Sequence, residues 1–149
     1  MKQTELDSMA GEMFEKQCWV IDFLPKQVPE KSGSNYFSVE RYYMSGPGIE
    51  ALYVKFTAVL IKLSCYYDMA FDSGNGWVEA PEPEMLAATI KEHTKRGYVN
   101  FIFPDAEALV ALNGGDLYMS LYNPPAEMLD ILVPIAFSEG LFVREAAVI

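Results

Sequence analysis

The sequence predicts an α/β fold: a single domain, residues 1–149, in which a mixed, mostly parallel sheet carries helices packed on it. Three observations lead there. From residue 17 onward, short β-branched and aromatic runs alternate with stretches of helical period, an order that implies crossover connections and parallel strand pairs. A length of 149 residues suits one core and no second one. The composition, 51% apolar and 21% charged, excludes intrinsic disorder. Long connections in the first half leave a two-layer α+β sandwich with antiparallel pairs as the alternative.

Residues 4–16 predict a helix with Leu6, Met9, Met13 and Phe14 on one face. Residues 17–24 predict a strand, apolar on both faces and bounded by Pro25, which suggests a central place in the sheet. A loop follows over 25–35, with two prolines and a Ser-Gly-Ser-Asn stretch. Residues 36–43 predict a strand, with a short helix capped by Ser34 or Asn35 as the alternative. Residues 49–63 form the clearest element. Ile49, Leu52, Tyr53, Phe56, Val59, Leu60 and Leu63 fall at steps of three and four, and Ala51, Val54, Ala58 and Ile61 widen that stripe. This pattern predicts a core helix enclosed on most sides.

Residues 65–71 predict a strand and residues 72–77 an open turn. A helix begins at Pro83 and runs through Leu86, Ile90 and Thr94 to Gly97 as its cap. A strand covers 98–103; Asp105 then caps a short helix ending at Asn113-Gly114-Gly115. After a strand at 117–122, Asn123 caps and Pro125 opens a helix through Met128, Leu129, Leu132 and Ile135. Pro134 is expected to kink or stop that helix, because its ring clashes with the carbonyl of Asp130. Residues 141–145 make another strand.

Charge narrows the function classes. Eleven basic against 21 acidic side chains give a formal charge of −10, which argues against a nucleic-acid partner. The polar first residues do not read as a signal peptide, and no apolar stretch reaches the length of a membrane span. The expectation is a cytoplasmic protein with no membrane partner. Cys18 and Cys65 read as reduced, half-buried thiols in apolar surroundings. No phosphate loop, dinucleotide fingerprint, nucleophile elbow or zinc-protease motif occurs, and a single histidine makes a histidine-built metal site improbable. No cofactor and no metal are expected.

The candidate residues are few. Asp22 alternates with Cys18, Val20 and Leu24, an otherwise apolar row, and Asp68 interrupts an aromatic strand. On neighbouring strands the two carboxylates would approach, splitting their pKa values to suit acid–base work. His93 shares a helical face with Leu86 and Ile90 and reads as a packed histidine near a helix end. Tyr66, Tyr67 and a loop-borne Trp77 are residue types that anchor binding surfaces. After Arg96 the only cation is Arg144, so the last third predicts one strongly negative side that would steer a basic partner.

The leading expectation is a non-catalytic binding protein, of inhibitor or immunity type, that covers a basic protein partner. Its binding residues would be Asp22, Tyr66, Tyr67, Asp68 and Trp77. The alternatives are a small enzyme using Asp22 and Asp68, or a small-ligand sensor with an aromatic pocket. A deep pocket lined by both aspartates and by tyrosines would favour the alternatives; a flat acidic face would favour the binding protein.

Overall fold

Seven strands form one sheet in the computed structural model, which describes residues 2–146. In chain order the elements are α1 (Gln3–Met13), β1 (Cys18–Asp22), α2 (Gly33–Met44), α3 (Gly48–Leu63), β2 (Ala70–Asp72) and β3 (Trp77–Glu79). There follow α4 (Pro83–Glu92), β4 (Tyr98–Phe103), β5 (Ala108–Asn113), β6 (Tyr118–Tyr122), α5 (Ala126–Ser138) and β7 (Phe142–Glu145). The strand order is β3-β2-β4-β5-β6-β1-β7.

All six neighbouring pairs are antiparallel, so the expected mostly parallel sheet is wrong. The reason lies in where the crossovers land. β3 and β4, joined through α4, run parallel to one another, but β2 lies between them and is antiparallel to both. β6 and β7, joined through α5, run parallel in the same way, with β1 between them. Each helix thus connects parallel strands one place apart, a split β-α-β arrangement whose gap an antiparallel strand fills. Alternation in sequence reveals the crossover but not the strand inserted beneath it.

One face of the sheet receives the main core. Ile21, Phe71, Val99, Phe101, Phe103, Val110, Leu112, Met119 and Leu121 meet α3, α4 and α5 there. The seven stripe residues of α3 are all buried. Ala51 and Val54 are exposed, however, so this helix is open along one side instead of enclosed on most. The other face is split. Over β2–β5, α1 seats Leu6, Ala10 and Met13 on Ala70, Ile102, Leu109 and Ala111. Over β1, β7 and the Tyr118–Ser120 part of β6 no helix among the described residues covers the sheet. Only at Tyr122 does the end of α1 reach, Phe14 meeting its ring edge-on at 5.1 Å.

Several local expectations fail for identifiable reasons. Residues 36–43 are helical, part of α2, where half-buried Tyr36, Glu40, Tyr43 and Met44 fall at helical spacing among exposed aromatics that mimic a strand. Residues 65–68 are a turn continuing from α3, and the strand starts only at Ala70. The short helix expected after Asp105 is instead a 3-10 turn, Pro104–Ala106, followed by β5, whose first five residues are all buried. A run buried on both faces has no periodicity to distinguish strand from helix. α4 ends at Glu92, five residues before Gly97. Asn123 has left-handed backbone (φ 56°) and donates to the Glu107 carbonyl at 2.8 Å instead of capping α5. Pro134 lies inside α5, which continues to Ser138; its position on the exposed side keeps the lost hydrogen bond away from the core.

The β5–β6 turn is fitted closely to the segment after α4. Gly114 N–H donates to Gly97 O and Gly115 N–H to Thr94 O, both at 2.9 Å. A Cβ on Gly114 would lie 2.4 Å from both Arg96 N and His93 O, so backbone must move to admit it. Gly114→Ala is therefore expected to destabilise by about 1–3 kcal/mol. Leu60, fully buried on the inner face of α3, should cost about 2–5 kcal/mol as Leu60→Ala. Denaturant melts check both. A loss below about 0.5 kcal/mol at Leu60 would contradict its place in the core.

Candidate functional site

The uncovered half of the second face carries a cleft of about 460 Å³. Its floor is built by strand alternation: Cys18, Val20 and Asp22 from β1, Tyr118 and Ser120 from β6, and Arg144 from β7. Its wall is the connection from β1 to α2, including Leu24, Val28 and Pro29, and the first turn of α2 adds Tyr36. Prolines at 25 and 29 and a 3-10 turn at Glu30–Ser32 hold this connection extended over the sheet. α2 itself crosses the end of the sheet: Tyr36 reaches the cleft, whereas Tyr43 and Met44 pack on the main core.

The polar centre is an ion pair. Arg144 Nη2 donates to Asp22 Oδ2 at 2.7 Å, and Asp22 is only 7% exposed. Two charges on this partly apolar sheet face are tolerable because β1 and β7 are neighbours, which lets each neutralise the other. Around this pair the tyrosines are electrostatically strained. Burial, then Glu40, Asp22 and other neighbouring charges, push the Tyr36 hydroxyl above the ordinary tyrosine value of 10.0. Burial and then Asp116 do the same to Tyr118. Asp116 is in turn raised by burial and by Glu40. Burial is the first cause at all three groups, and neighbouring charges add to it.

The expected site residues do not assemble as a group. Asp22 is in the cleft, but Asp68 is exposed beyond α3, on the side of β2; β4, β5 and β6 separate β2 from β1. The two carboxylates are not neighbours, and Asp22 is committed to Arg144. Tyr66 is exposed; Tyr67 sets its ring edge-on to Phe103 at 6.4 Å. Trp77 is not a loop anchor: it is 7% exposed in β3, under α1, and its Nε1–H donates to Asp7 Oδ1 at 2.7 Å. His93 ends α4, its Nδ1–H donating to Thr89 O at 2.7 Å. Cys18 lies half-buried in the cleft floor, Cys65 is exposed, contrary to the expected apolar setting, and both are free thiols. Among the described residues no group of three or more His, Cys, Asp or Glu is placed to hold a metal ion.

Sequence reasoning missed Arg144 as the partner of Asp22 and Tyr36 and Tyr118 as residues of the same cleft. The signal for Arg144 was present, since a lone cation in an apolar strand calls for a carboxylate in another. Tyr36 was hidden by the misread helix. The expected single acidic side does not form: Asp105 and Glu107 precede β5 and Asp116 follows it, so they sit at opposite ends of that strand, while Glu127 and Asp130 belong to α5 and Glu139 follows its end. Glu139 is further neutralised by Lys62 at 2.8 Å.

A second, larger groove of about 880 Å³ lies between α3 and α4, rimmed by Lys91, Lys95 and Arg96 together with Glu50 and Glu92. Its rim charges are exposed, and its one shifted hydroxyl, that of Tyr53, raised by burial, is committed to the carbonyls of Asn113 and Asp116. The cleft gathers a buried ion pair together with two shifted hydroxyls. Perturbed titratable groups mark functional sites more often than solvated ones do. Compared with known proteins, the chain matches no family model, no curated protein and no solved structure. No helix among the described residues is long and apolar enough to cross a membrane.

The shifted tyrosines give a pH dependence. In the unfolded chain they ionise near 10.0, whereas in the folded protein Tyr36 and Tyr118 hold their protons to higher pH. Their contribution to stability is thus intact below pH 10 and is lost as pH rises through the folded values. Ultraviolet titration should find late-ionising phenols, Tyr36 and Tyr118 beside Tyr53, Tyr67 and Tyr122, and Tyr36→Phe and Tyr118→Phe should each remove one of them. The same variants should flatten the alkaline decline in stability.

Proposed function

We propose that the protein is a non-catalytic binding protein that covers a basic protein partner, with the cleft and the adjoining outer face of α2 as its contact surface. One observation carries this reading. α2 has no buried residue, and beside the cleft it exposes Phe37 (61%) and Tyr42 (75%) to solvent. A monomer gains nothing from two aromatic side chains held in water; a desolvated interface does, and aromatics are the usual anchors of one. The rings are also pre-positioned, Phe37 against Tyr36 at 6.3 Å and Tyr42 against Tyr43 at 5.6 Å, which reduces the ordering cost of binding. The formal charge of −10 supplies long-range steering toward a cationic surface.

A small-ligand reading has one observation in its favour: 460 Å³ falls within the usual range of small-molecule sites. The enzyme reading loses its carboxylate pair, because Asp68 is remote and Asp22 is bound to Arg144.

The test is affinity capture at low and high salt beside a metabolite-turnover screen, followed by affinity measurement with the captured protein. Phe37→Ala and Tyr42→Ala are each expected to weaken binding by at least about 1 kcal/mol. Binding should also weaken as salt rises, through screening of the acidic surface. Trp77→Ala belongs in the control set: it removes a buried partner of α1, so its effect should appear in stability. Turnover abolished by Asp22→Asn, with no protein captured, would overturn the proposal.

A further inference from the structure

The two outer strands of the sheet end differently. In β3, Ala80 N–H donates to Met69 O at 3.0 Å, which sets alternate residues toward β2 and turns the backbone of Trp77 outward. That outward backbone is occupied. The Gln3 amide accepts from Trp77 N–H and donates to Trp77 O at 2.9 Å, standing where a further strand would pair. In β7, Ala146 N–H donates to Cys18 O at 3.0 Å, so Arg144 and Phe142 bond toward β1 while Val143 and Glu145 point away. Among the described residues no backbone group reaches Val143 or Glu145 from outside. Native sheets generally protect such an edge, and among the described residues only the β3 edge has its outward backbone bonded.

We infer that the β7 edge is a docking site for an extended segment of the partner, added antiparallel as an eighth strand. The inference rests on the proposed partner-binding function and specifies how the partner engages. Cross-strand chemistry defines the segment. Opposite Glu145 a basic side chain is favoured, and opposite Val143 an apolar one. Arg144 calls for a carboxylate: it makes one hydrogen bond, to Asp22, and its buried Nε–H has no partner among the described residues. In the order of the incoming chain the three positions read basic, acidic, apolar. A second copy of this protein fits less well. Two β7 strands bonded through Val143 of one and Glu145 of the other would place Arg144 against Arg144, a like-charge contact that destabilises a cross-strand pair.

The experiment uses the full chain and a capped heptapeptide, Ac-Thr-Val-Lys-Glu-Val-Thr-Thr-NH2, beside a copy N-methylated at the amides of its Lys and second Val, the positions that bond to the edge. Titration is followed by amide chemical shifts and hydrogen exchange. The unmethylated peptide is expected to slow exchange at Val143 and Glu145 by about tenfold or more, and the methylated copy to leave them unchanged. Val143→Pro removes one outward donor without touching the β1 ladder, and it should abolish the effect in protein whose circular dichroism is native.

Absence of protection at millimolar peptide, equal protection by both peptides, or shifts confined to α2 would overturn the edge inference while leaving the α2 surface standing. Protection that grows with protein concentration alone, together with a dimer in sedimentation, would replace the partner segment by a second copy. Edge protection by the peptide, combined with unchanged partner affinity in Phe37→Ala and Tyr42→Ala, would retain the edge and remove the α2 surface.

Discussion

β1 is the strand on which the cleft half of the molecule depends. It pairs on one side with β6 and on the other with β7, and its side chains serve both faces. Ile21 enters the main core, while Cys18, Val20 and Asp22 floor the cleft. Without β1 the crossover through α5 would leave β6 and β7 parallel and a strand's width apart, unable to bond. β2 plays the same part between β3 and β4. The fold is thus two versions of one device, joined by the continuous run of β4, β5 and β6. One version is sealed by α1, and the other is left open as a site.

That difference between the halves follows from small side-chain choices. On the sealed half the second face offers Ala70, Ala111, Ile102 and Leu109, short or purely apolar residues that let a helix lie close. On the open half it offers Asp22, Ser120, Tyr118 and Arg144, whose polar atoms a helix could cover only by supplying partners for each. The proline-bearing connection that borders this half does so without burying it. Polarity on one patch of one sheet face has therefore set both where α1 goes and which half of that face stays open as a cleft.

Much of this was legible in the residues. The core helix, the strands at 98–103, 117–122 and 141–145, and the row of Cys18, Val20, Asp22 and Leu24 emerge from periodicity and stand in the structure. Strand direction did not emerge, because a helical crossover fixes the relation of the strands it joins and is silent about a strand placed between them. β5 was hidden by being too well buried, which erases alternation, and α2 by the reverse, aromatics left in solvent on a helix. For the site, Asp22 was conspicuous as a charge among apolar neighbours. Its true partner is distant in sequence, and no spacing rule links residues 22 and 144. Only the register of β1 against β7 does.

The placement of β1 also has a temporal consequence. Its hydrogen-bonding partners are β6 and β7: Cys18 lies opposite Tyr122, and Asp22 opposite Phe142. While a ribosome synthesises the segments between them, β1 has nothing to pair with, and its tryptophan, valine and isoleucine stay available to whatever else is nearby. Closure must await nearly all of the described chain, and long-range pairings of this kind raise contact order and slow folding. The hairpins β2–β3 and β4–β5–β6 can assemble earlier from local contacts. The cleft, having its floor on β1 and β7, is then among the later parts of the protein to exist, so a chain able to bind through it has already completed most of its fold.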